Sequence, residues 1–272
     1  MRESLMNHAT ATQAQRLRPS SAWTGWGQWL ALITMTFDHV ARYLATDAWG
    51  MGWVDSSIGR IAFPLFAGMV AWHGLFNTRD PLRYARRIMV IGLVAQLPYQ
   101  LMPREAIFQL NICFTLALGL MAGHWLEQVA QRTARGELGL VRLSLETFGV
   151  IAAWYVAGFW FEYGHEGLLL VPLYTLAIGQ IQRGGNSPLQ RLGALLAALP
   201  VLLLAGMMNS SEMAKSITVI TTLTVLALAA GACSLVPNVQ WKMPRRMWLA
   251  WYPAHFAVIA AILLYLGRAA YP

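Results

Sequence analysis

The sequence has little charge and almost no cysteine. Only 12% of its 272 residues are charged, whereas 57% are hydrophobic and the mean hydropathy is +0.47. Soluble globular domains are about 25% charged, so this composition is typical of chains that cross a membrane. We therefore expect most of the chain to lie in a lipid bilayer.

The scarcity of cysteine limits the chemistry that the chain can carry. Cys113 and Cys233 are its two cysteines, and both fall inside apolar segments, at opposite predicted depths. Residues so far apart cannot form a disulfide, and no group of histidines or carboxylates stands at the spacing of a metal site. We expect both cysteines to be packing residues and expect no metal site.

Common catalytic motifs are also absent. The sequence holds no GxSxG, no HExxH and no glycine-rich phosphate loop, which excludes the familiar soluble hydrolases, metalloproteases and nucleotidases.

The net charge of +8 would favour nucleic-acid binding in a soluble protein. Here the basic residues lie in short loops between apolar stretches, where they set membrane topology, so no nucleic-acid partner is expected.

What the sequence does contain is a series of apolar segments. Two of them, 88–102 and 167–181, are shorter than the roughly 17 residues that a crossing helix needs, so eight to ten crossings are possible and about nine are favoured. The sequence predicts an all-α fold, a polytopic transmembrane helix bundle. The segments run at 23–45, 58–76, 88–102, 107–126, 143–161, 167–181, 192–208, 217–236 and 247–266.

The basic residues predict how this bundle is oriented. If all nine segments cross, the alternate loops on one side hold most of the 20 basic residues. The positive-inside rule places that side, and with it the N-terminus, in the cytoplasm. We expect residues 1–22 to be a polar cytoplasmic tail that is not a cleaved signal peptide, and residues 23–272 to be a single transmembrane domain. The expected location is a bacterial inner membrane, with membrane lipids as contacts.

Ionisable residues inside the apolar segments are candidates for function, because an unpaired charge in a membrane span is costly. The first segment carries Asp38, His39 and Arg42, and Arg60 opens the second. Asp38 and Arg42 lie four residues apart on one helical face, and all four residues fall toward the outer half of the bilayer. Either Asp38 pairs with Arg42 or Arg60 to join two helices, or the cluster is catalytic.

Three further polar groups lie near the ends or within the later segments. Asn111 stands near the start of the fourth segment, where hydrogen bonding between helices is the simpler interpretation. Glu162 and Tyr163 lie at the outer end of the fifth segment, where an exposed turn would look much the same. Tyr252 and His255 lie three residues apart on one face of the last segment, nearer its cytoplasmic half.

In their order along the chain, these motifs resemble the TraX family. Members of that family are membrane proteins of conjugative plasmids associated with N-acetylation of pilin, and they are similar in plan to bacterial membrane acyltransferases. The resemblance runs from the first segment to the last and is weakest at 183–245. It rests on TFDHVARYL at 36–44, GRIAFPLFAGMVAWHG at 59–74, RYARR at 83–87, AQLPYQL at 95–101, LNICFTLALGL at 110–120, EYGHEG at 162–167 and WYPAHF at 251–256.

The resemblance implies an acyltransferase-like domain that uses acetyl-CoA to acetylate the N-terminal amine of a pilin subunit. An α-amine must lose a proton before it attacks a thioester, so a base is needed. His39 is the expected base, Asp38 would raise its basicity or hold the substrate ammonium, and His255 is the alternative base. Arg60 or Asn111 would stabilise the oxyanion of the tetrahedral intermediate.

The same resemblance implies sites for the two substrates. The residues expected at the acceptor are Arg42, Glu162, Tyr163 and Tyr252. Guanidinium groups suit the phosphates of coenzyme A, and basic residues stand at the cytoplasmic ends of the third and last segments. The residues expected at the donor are Arg83, Arg86, Arg87, Lys242, Arg245 and Arg246. These basic residues would serve equally as topology determinants and contacts to anionic lipids.

Other functions are left open by the residues. An acyltransferase of this kind could instead modify a periplasmic sugar or lipid. A transporter, or a non-catalytic chaperone of pilus assembly, could use Asp38, His39 and Arg60 as a proton or substrate relay. A related alternative is maturation of pilin by some other N-terminal chemistry, such as joining its ends. Transporters of this size often carry an internal repeat, and the sequence shows no convincing one.

Overall fold

The protein is a bundle of helices. The computed structural model describes residues 19–45, 49–104, 108–183, 187–239 and 241–269. In that part of the chain there is no β-strand, and one parallel bridge joins Leu110 to Phe161. A π-helical turn, His73–Asn77, continues the helix that ends at Trp72, and a 3-10 turn, Ala232–Leu235, follows the helix that ends at Ala229. In chain order the helices are α1 (Ala22–Tyr43), α2 (Trp53–Ser56), α3 (Gly59–Trp72), α4 (Pro81–Gln100), α5 (Ile112–Ala134), α6 (Leu140–Gly158), α7 (Gly164–Arg183), α8 (Pro188–Met207), α9 (Glu212–Ala229) and α10 (Arg245–Tyr265).

In the described part of the chain, six helical stretches are long and apolar enough to cross a membrane. They are α5, α6, α8, α9, α10 and the continuous stretch Trp53–Asn77 that contains α2, α3 and the π turn. The expected all-α fold is therefore confirmed, with six candidate membrane spans among the described residues. Helices α1, α4 and α7 have 22, 20 and 20 residues and fall short of the others in composition, not in length. At 1.5 Å per residue each is about 30 Å long, the thickness of a hydrocarbon core.

Helix α4 begins well before the apolar segment 88–102 that predicts it. The Oδ1 atom of Asp80 accepts a hydrogen bond from the backbone N–H of Arg83 at 2.9 Å, and Pro81 occupies the first turn. Both are favourable at a helix N-terminus. The basic RYARR motif at 83–87 therefore lies on the first two turns of the helix itself.

Consecutive long helices run in opposite directions. Ser21, before α1, hydrogen-bonds to Asn77, after α3, whereas Asp38 near the end of α1 faces Gly59 at the start of α3. Contacts between the other helices follow the same alternation. Helices α1, α4, α6, α8 and α10 thus begin at one end of the bundle, which we call the basic end because the basic loops collect there.

Six helices form a closed ring around the polar residues. In the order α1, α10, α4, α5, α7 and α3, each helix packs against the next, and α3 returns to α1. Helix α9 packs on the outer side of α3, and α8 packs on the outer side of α7. Helix α6 lies at the periphery, where Gly158 is its one buried residue. The interior of this ring holds buried polar residues, among them Asp38, Asn111 and His255.

Candidate functional site

Two histidines from distant parts of the chain meet inside the ring. Nδ1 of His39 lies 2.8 Å from Nε2 of His255, and the two rings are stacked with 7° between their planes. The predicted difference in depth between them is wrong. The reason is that α10 begins farther from the basic end than α1 does. The indole N–H of Trp29, two turns into α1, donates to the carbonyl of Trp241, a residue that still precedes α10.

The hydrogen bonds determine which nitrogen of each ring carries a proton. Nδ1 of His255 lies 3.0 Å from the carbonyl oxygen of Trp251, which can only accept, so His255 Nδ1 carries the proton and donates. In the neutral ring His255 Nε2 then accepts, and His39 Nδ1–H donates to it. The lone pair on Nε2 of a neutral His39 is left free. This chain of groups prepares His39 Nε2 to act as a base.

Asp38 faces that free nitrogen. Its Oδ2 atom lies 4.0 Å from His39 Nε2 and 3.8 Å from Arg42 Nη2, which is the distance of a loose ion pair. Asp38 is only 7% exposed, and its Oδ1 atom has no hydrogen-bond partner among the described residues. A carboxylate in this position would stabilise His39 once the imidazole has taken a proton.

Asp55 ties the two arginines of the cluster together. Arg42 Nη2 donates to its Oδ1 atom, Arg60 Nη2 donates to Oδ2 at 2.9 Å, and Arg60 Nε donates to its backbone carbonyl at 2.7 Å. The alternative in which Asp38 pairs with Arg60 is therefore wrong. Sequence reasoning missed Asp55 because it lies between two apolar segments, outside the stretches searched for buried charge.

Asn111 is fully engaged in joining α4 to α5. Its Nδ2 donates to the carbonyl of Gly92 and to Oε1 of Gln96, both at 2.8 Å. Its Oδ1 caps α5 by accepting from the backbone N–H of Cys113 at 3.1 Å. Both amide hydrogens are used, so Asn111 has no donor left for an oxyanion in this structure. Its geometry is that of the simpler interpretation, hydrogen bonding between helices.

Glu162 lies in a turn that is anchored inside the bundle. Its backbone N–H donates to the carbonyl of Leu110, and its carbonyl accepts from the hydroxyl of Thr115, both at 2.9 Å. The Oε2 atom is buried and has no partner among the described residues. Burial raises the pKa of Glu162 to about 7, although the guanidinium of Arg42 lowers it. The alternative interpretation, an exposed turn, does not describe this side chain, whose Oε2 atom is buried.

Tyr163 holds the same turn against α3. Its backbone is in the left-handed region, at φ 63°, and its ring stacks on Phe63 with 4.2 Å between centroids. Farther along, Nε2 of His165 lies 2.9 Å from the carbonyl of Tyr155, which joins α6 to α7. These contacts position the turn, and with it Glu162, relative to the ring of helices.

Arg104 is a second residue that sequence reasoning missed as a site residue. Its guanidinium carbon lies 3.8 Å from the centre of the Tyr99 ring, and its Nη2 donates to the Tyr99 carbonyl. Its Nη1 atom is buried without a partner among the described residues. The Tyr99 ring meets Phe256 edge to face, and Phe256 in turn contacts His39 at 4.7 Å between centroids. Arg104 therefore belongs to the shell around the histidine pair.

A mostly apolar cavity of about 250 Å³ lies within the ring of helices. Arg87 and Arg245 line it at the basic end, and Tyr252 and Cys113 line it deeper in the bundle. The Tyr252 ring packs against the ring of His255, with 5.5 Å between centroids. The cavity therefore leads from the basic end of the bundle to Tyr252, whose ring contacts His255.

A second cavity of about 250 Å³ adjoins the first and shares Arg87 and Trp248 with it. It extends the first cavity toward His73 and Asn77, at the π turn that ends α3. The two cavities together provide a path from the basic end to the interior.

The six basic residues expected at the donor cluster where α4 and α10 begin. Arg87 and Arg245 line the cavity, and the other four are exposed at the same end. The N-terminus of α10 has no side-chain cap, and its free N–H groups add positive potential to that of the side chains. This arrangement suits a ligand with several phosphates. Within the described ranges, no three His, Cys, Asp or Glu side chains come together as they would around a metal ion.

Comparison with known proteins gives one family and one relative of interest. The family model described as TraX protein matches residues 27–263, which include both histidines of the pair. The probable fimbrial assembly protein FimC, serogroup H1, of Dichelobacter nodosus is 25% identical over 257 residues, which make up 87% of this chain and 94% of that protein. No solved structure matches the chain.

Proposed function

The chain belongs to the TraX family, as its motifs predict, and we propose that it is a membrane acyltransferase that moves the acetyl group of acetyl-CoA to the N-terminal amine of a pilin subunit. One observation carries this proposal. The cavity that Arg87 and Arg245 line at the basic end reaches Tyr252, whose ring packs on the hydrogen-bonded pair His39 and His255. An acyl donor with phosphates at one end and a thioester at the other matches such a path in both charge and polarity.

The donor's two halves have different requirements. Its phosphates carry several negative charges and stay near water, where guanidinium groups and helix N-termini bind them. Its uncharged arm and thioester enter the apolar part of the cavity, among residues such as Ile88, Leu116 and Trp251. Of the six predicted donor residues, Arg87 and Arg245 are the best placed to bind the phosphate nearest the arm.

His39 supplies the base in this proposal. Its Nε2 lone pair takes a proton from the attacking amine, while His255 holds the opposite nitrogen of the ring through the 2.8 Å hydrogen bond. Asp38, 4.0 Å from Nε2, stabilises the imidazolium that results. His255 is therefore a positioning residue. In this proposal the two histidines are not alternative bases, because His39 is the base and His255 orients it.

Glu162 is the proposed anchor for the acceptor. At neutral pH a peptide N-terminus is largely an ammonium, because its pKa is about 7.7–8.0. A buried carboxylate oxygen without a partner is unfavourable, and an ammonium that donates to it removes that cost. Glu162 would thus bind the acceptor as an ammonium, which loses one proton to water before His39 takes a second proton from the attacking amine.

Two observations favour pilin as the acceptor. The resemblance to the TraX family implies pilin N-acetylation, and the D. nodosus relative, aligned over 94% of its own length, is named as a probable fimbrial assembly protein. We further propose that all nine long helices cross a bacterial inner membrane with the basic end in the cytoplasm, because the positive-inside rule favours that orientation. Acetyl-CoA would then enter from the cytoplasm.

The intact mass of pilin tests this function. Pilin is purified from cells that lack the gene and from cells that carry either the wild-type protein or His39→Gln. We expect pilin to be heavier by one acetyl group only in the presence of the wild type. Equal masses in all three strains, with pili lost on deletion, would reject acyl transfer to pilin. That outcome favours the second candidate, a non-catalytic role in pilus assembly, which the name of the D. nodosus relative suggests.

A further inference from the structure

One buried hydroxyl on the cavity wall has no partner. Tyr252 is 8% exposed and lines the cavity, and its phenolic oxygen makes no hydrogen bond to any residue that the structure describes. Buried phenols usually find a hydrogen-bond partner, because leaving one unsatisfied costs stability. An orphaned donor at a ligand cavity indicates that the partner is the ligand.

The position of this hydroxyl relates it to the reacting groups. The Tyr252 ring lies 5.5 Å from His255 and 5.3 Å from Phe256, between centroids, and Phe256 also contacts His39. Tyr252 therefore belongs to the same cluster of rings as the histidine pair. It is also the deepest residue of α10 on the cavity wall, at the end away from Arg245.

The two residues expected from the sequence to stabilise the oxyanion are engaged elsewhere. Arg60 is held by Asp55 through Nε and Nη2. Asn111 uses both amide hydrogens between α4 and α5. Acyl transfer nonetheless generates a negative charge on the carbonyl oxygen of the donor, and a neutral O–H in an apolar site is an effective donor to it.

We infer that Tyr252 is the oxyanion donor for an acyl thioester bound in this cavity, an inference that rests on the proposed acyl transfer. The amine nitrogen forms a bond to the carbonyl carbon, and the electron pair of the C=O bond moves to oxygen, which accepts a hydrogen bond from the Tyr252 hydroxyl. His39 Nε2 takes the proton from nitrogen. The C–S bond then breaks, the oxygen returns its electrons, and His39 passes its proton to the leaving thiolate. The products are an amide and a free thiol: the proton that the neutral amine loses passes through His39 to sulfur, and the extra proton of the bound ammonium leaves to water before the attack.

Tyr252→Phe is a clean test, because it removes one oxygen that contacts no other described residue. We expect kcat for acetyl transfer to fall by about 10²–10³-fold, since an oxyanion donor acts mainly in the transition state. KM for acetyl-CoA should change by less than about threefold. The melting temperature should stay the same or rise, because an unsatisfied buried group is removed.

Tyr174→Phe is the matched control. Tyr174 is fully buried between α7 and α9, away from the cavity, and its hydroxyl donates to Thr222 Oγ1 at 3.0 Å. We expect the opposite pattern there, with a lower melting temperature and unchanged kcat. Both variants and the wild type are purified in detergent, and rates are normalised to the monodisperse fraction.

The outcomes separate the two proposals. A Tyr252→Phe kcat within about threefold of an active wild type overturns the inference and leaves acyl transfer intact. A rise in KM for acetyl-CoA of about 10²–10³-fold with unchanged kcat also overturns the inference, because that pattern means that Tyr252 only helps to bind the donor. A wild type that transfers no acetyl group from acetyl-CoA to a peptide amine overturns the proposed function itself.

Discussion

The carboxyl group of Asp38 lies against the Cα of Gly59, in the space that a side chain at that position would occupy. A Cβ on Gly59 would overlap Oδ1 of Asp38. Because the Asp38 side chain is short and buried, it can make room only by leaving its present position. Gly59→Ala should therefore displace Asp38 from His39. We expect a destabilisation of about 1–3 kcal/mol, as for other overpacked sites, and a loss of acyl transfer of tenfold or more.

Gly149→Ala provides the control for this prediction. Gly149 also lies in a membrane helix, α6, but a Cβ there meets nothing within 4 Å. Alanine is favoured over glycine in a helix interior by about 1 kcal/mol, so this variant should be as stable as the wild type or slightly more stable. If thermal unfolding in detergent shows equal losses for both variants, close packing of Asp38 on Gly59 is not the cause.

Replacement of the two histidines should separate their roles. His39→Gln keeps an N–H donor for His255 but lacks a basic nitrogen, so we expect acyl transfer to fall by about 10²–10⁴-fold in a folded protein. His255→Phe keeps a ring but removes the Nε2 acceptor that sets the tautomer of His39, and a smaller loss, of about tenfold, is expected. Steady-state rates on a pilin N-terminal peptide would decide. Turnover of His39→Gln near that of the wild type rules His39 out as the base.

The cluster of charges should be coupled through Asp55. A double-mutant cycle with Asp55→Asn and Arg60→Gln should give a coupling of about 0.5–1 kcal/mol, because this pair is hydrogen-bonded and only partly exposed. The same cycle with Asp38→Asn and Arg60→Gln should give a smaller coupling, because these two residues form no direct ion pair and are linked through Arg42 and Asp55. Unfolding free energies in detergent supply both numbers. Stronger coupling of Arg60 to Asp38 than to Asp55 contradicts the arrangement seen here.

The buried carboxyl of Glu162 predicts a pH dependence of stability. Its pKa is about 7 in the folded protein, against 4.5 ordinarily, so the folded state favours the protonated form. The stability that this proton provides is complete below pH 4.5 and is lost as the pH rises through 7. Glu162→Gln should therefore match the wild type at pH 5 and exceed it at pH 8, by an amount on the order of 1–3 kcal/mol.

Glu166→Gln controls for this effect, because Glu166 is exposed on the same turn. Its unfolding midpoint should follow that of the wild type at both pH values. For acyl transfer the expectation is reversed, since Glu162→Gln removes the proposed ammonium anchor and should raise KM for the acceptor about tenfold. A Glu162→Gln protein with unchanged stability at pH 8 and unchanged KM shows that the carboxyl is neither buried as described nor part of the acceptor site.

Much of the fold could be predicted from hydrophobicity and charge alone. Long apolar segments have few alternatives to helices in a bilayer, because every backbone polar group must be paired within the segment. Segment ends were harder to place. Helix α4 begins at Pro81 because Asp80 caps it, and this local chemistry extends the helix through a basic stretch that hydropathy treats as a loop.

The site was predictable in its residue types but not in its pairings. Ionisable residues are rare in apolar segments and are therefore easy to recognise there, which is why Asp38, His39 and His255 could be identified from the sequence. Their partners depend on how the helices are offset along their axes, and the sequence contains no direct measure of that offset. Asp55 and Arg104 show a second difficulty, since both lie outside the apolar segments of the sequence and become engaged or buried only when the helices pack.

The last prediction concerns the sides from which the two substrates arrive. Arg86 lies exposed at the basic end, beside the cavity mouth at Arg87, whereas Trp160 is 51% exposed at the opposite end, next to Glu162. If the basic end faces the cytoplasm, acetyl-CoA enters beside Arg86 and the acceptor amine approaches beside Trp160. Neither phosphates nor an ammonium then has to cross the hydrocarbon core.

Single cysteines at these two positions, in a background with Cys113→Ala and Cys233→Ala, allow a direct test with a membrane-impermeant maleimide. In intact spheroplasts we expect the Trp160 position to be labelled and the Arg86 position to be protected until the membrane is opened. The charge pattern gives the reason, because basic loops are retained on the cytoplasmic side during insertion. The reverse labelling pattern would place the cavity mouth outside the cell. Cytoplasmic acetyl-CoA could not reach Arg87 and Arg245 from there, so the reverse pattern would remove the proposed donor route while leaving the histidine pair unexplained.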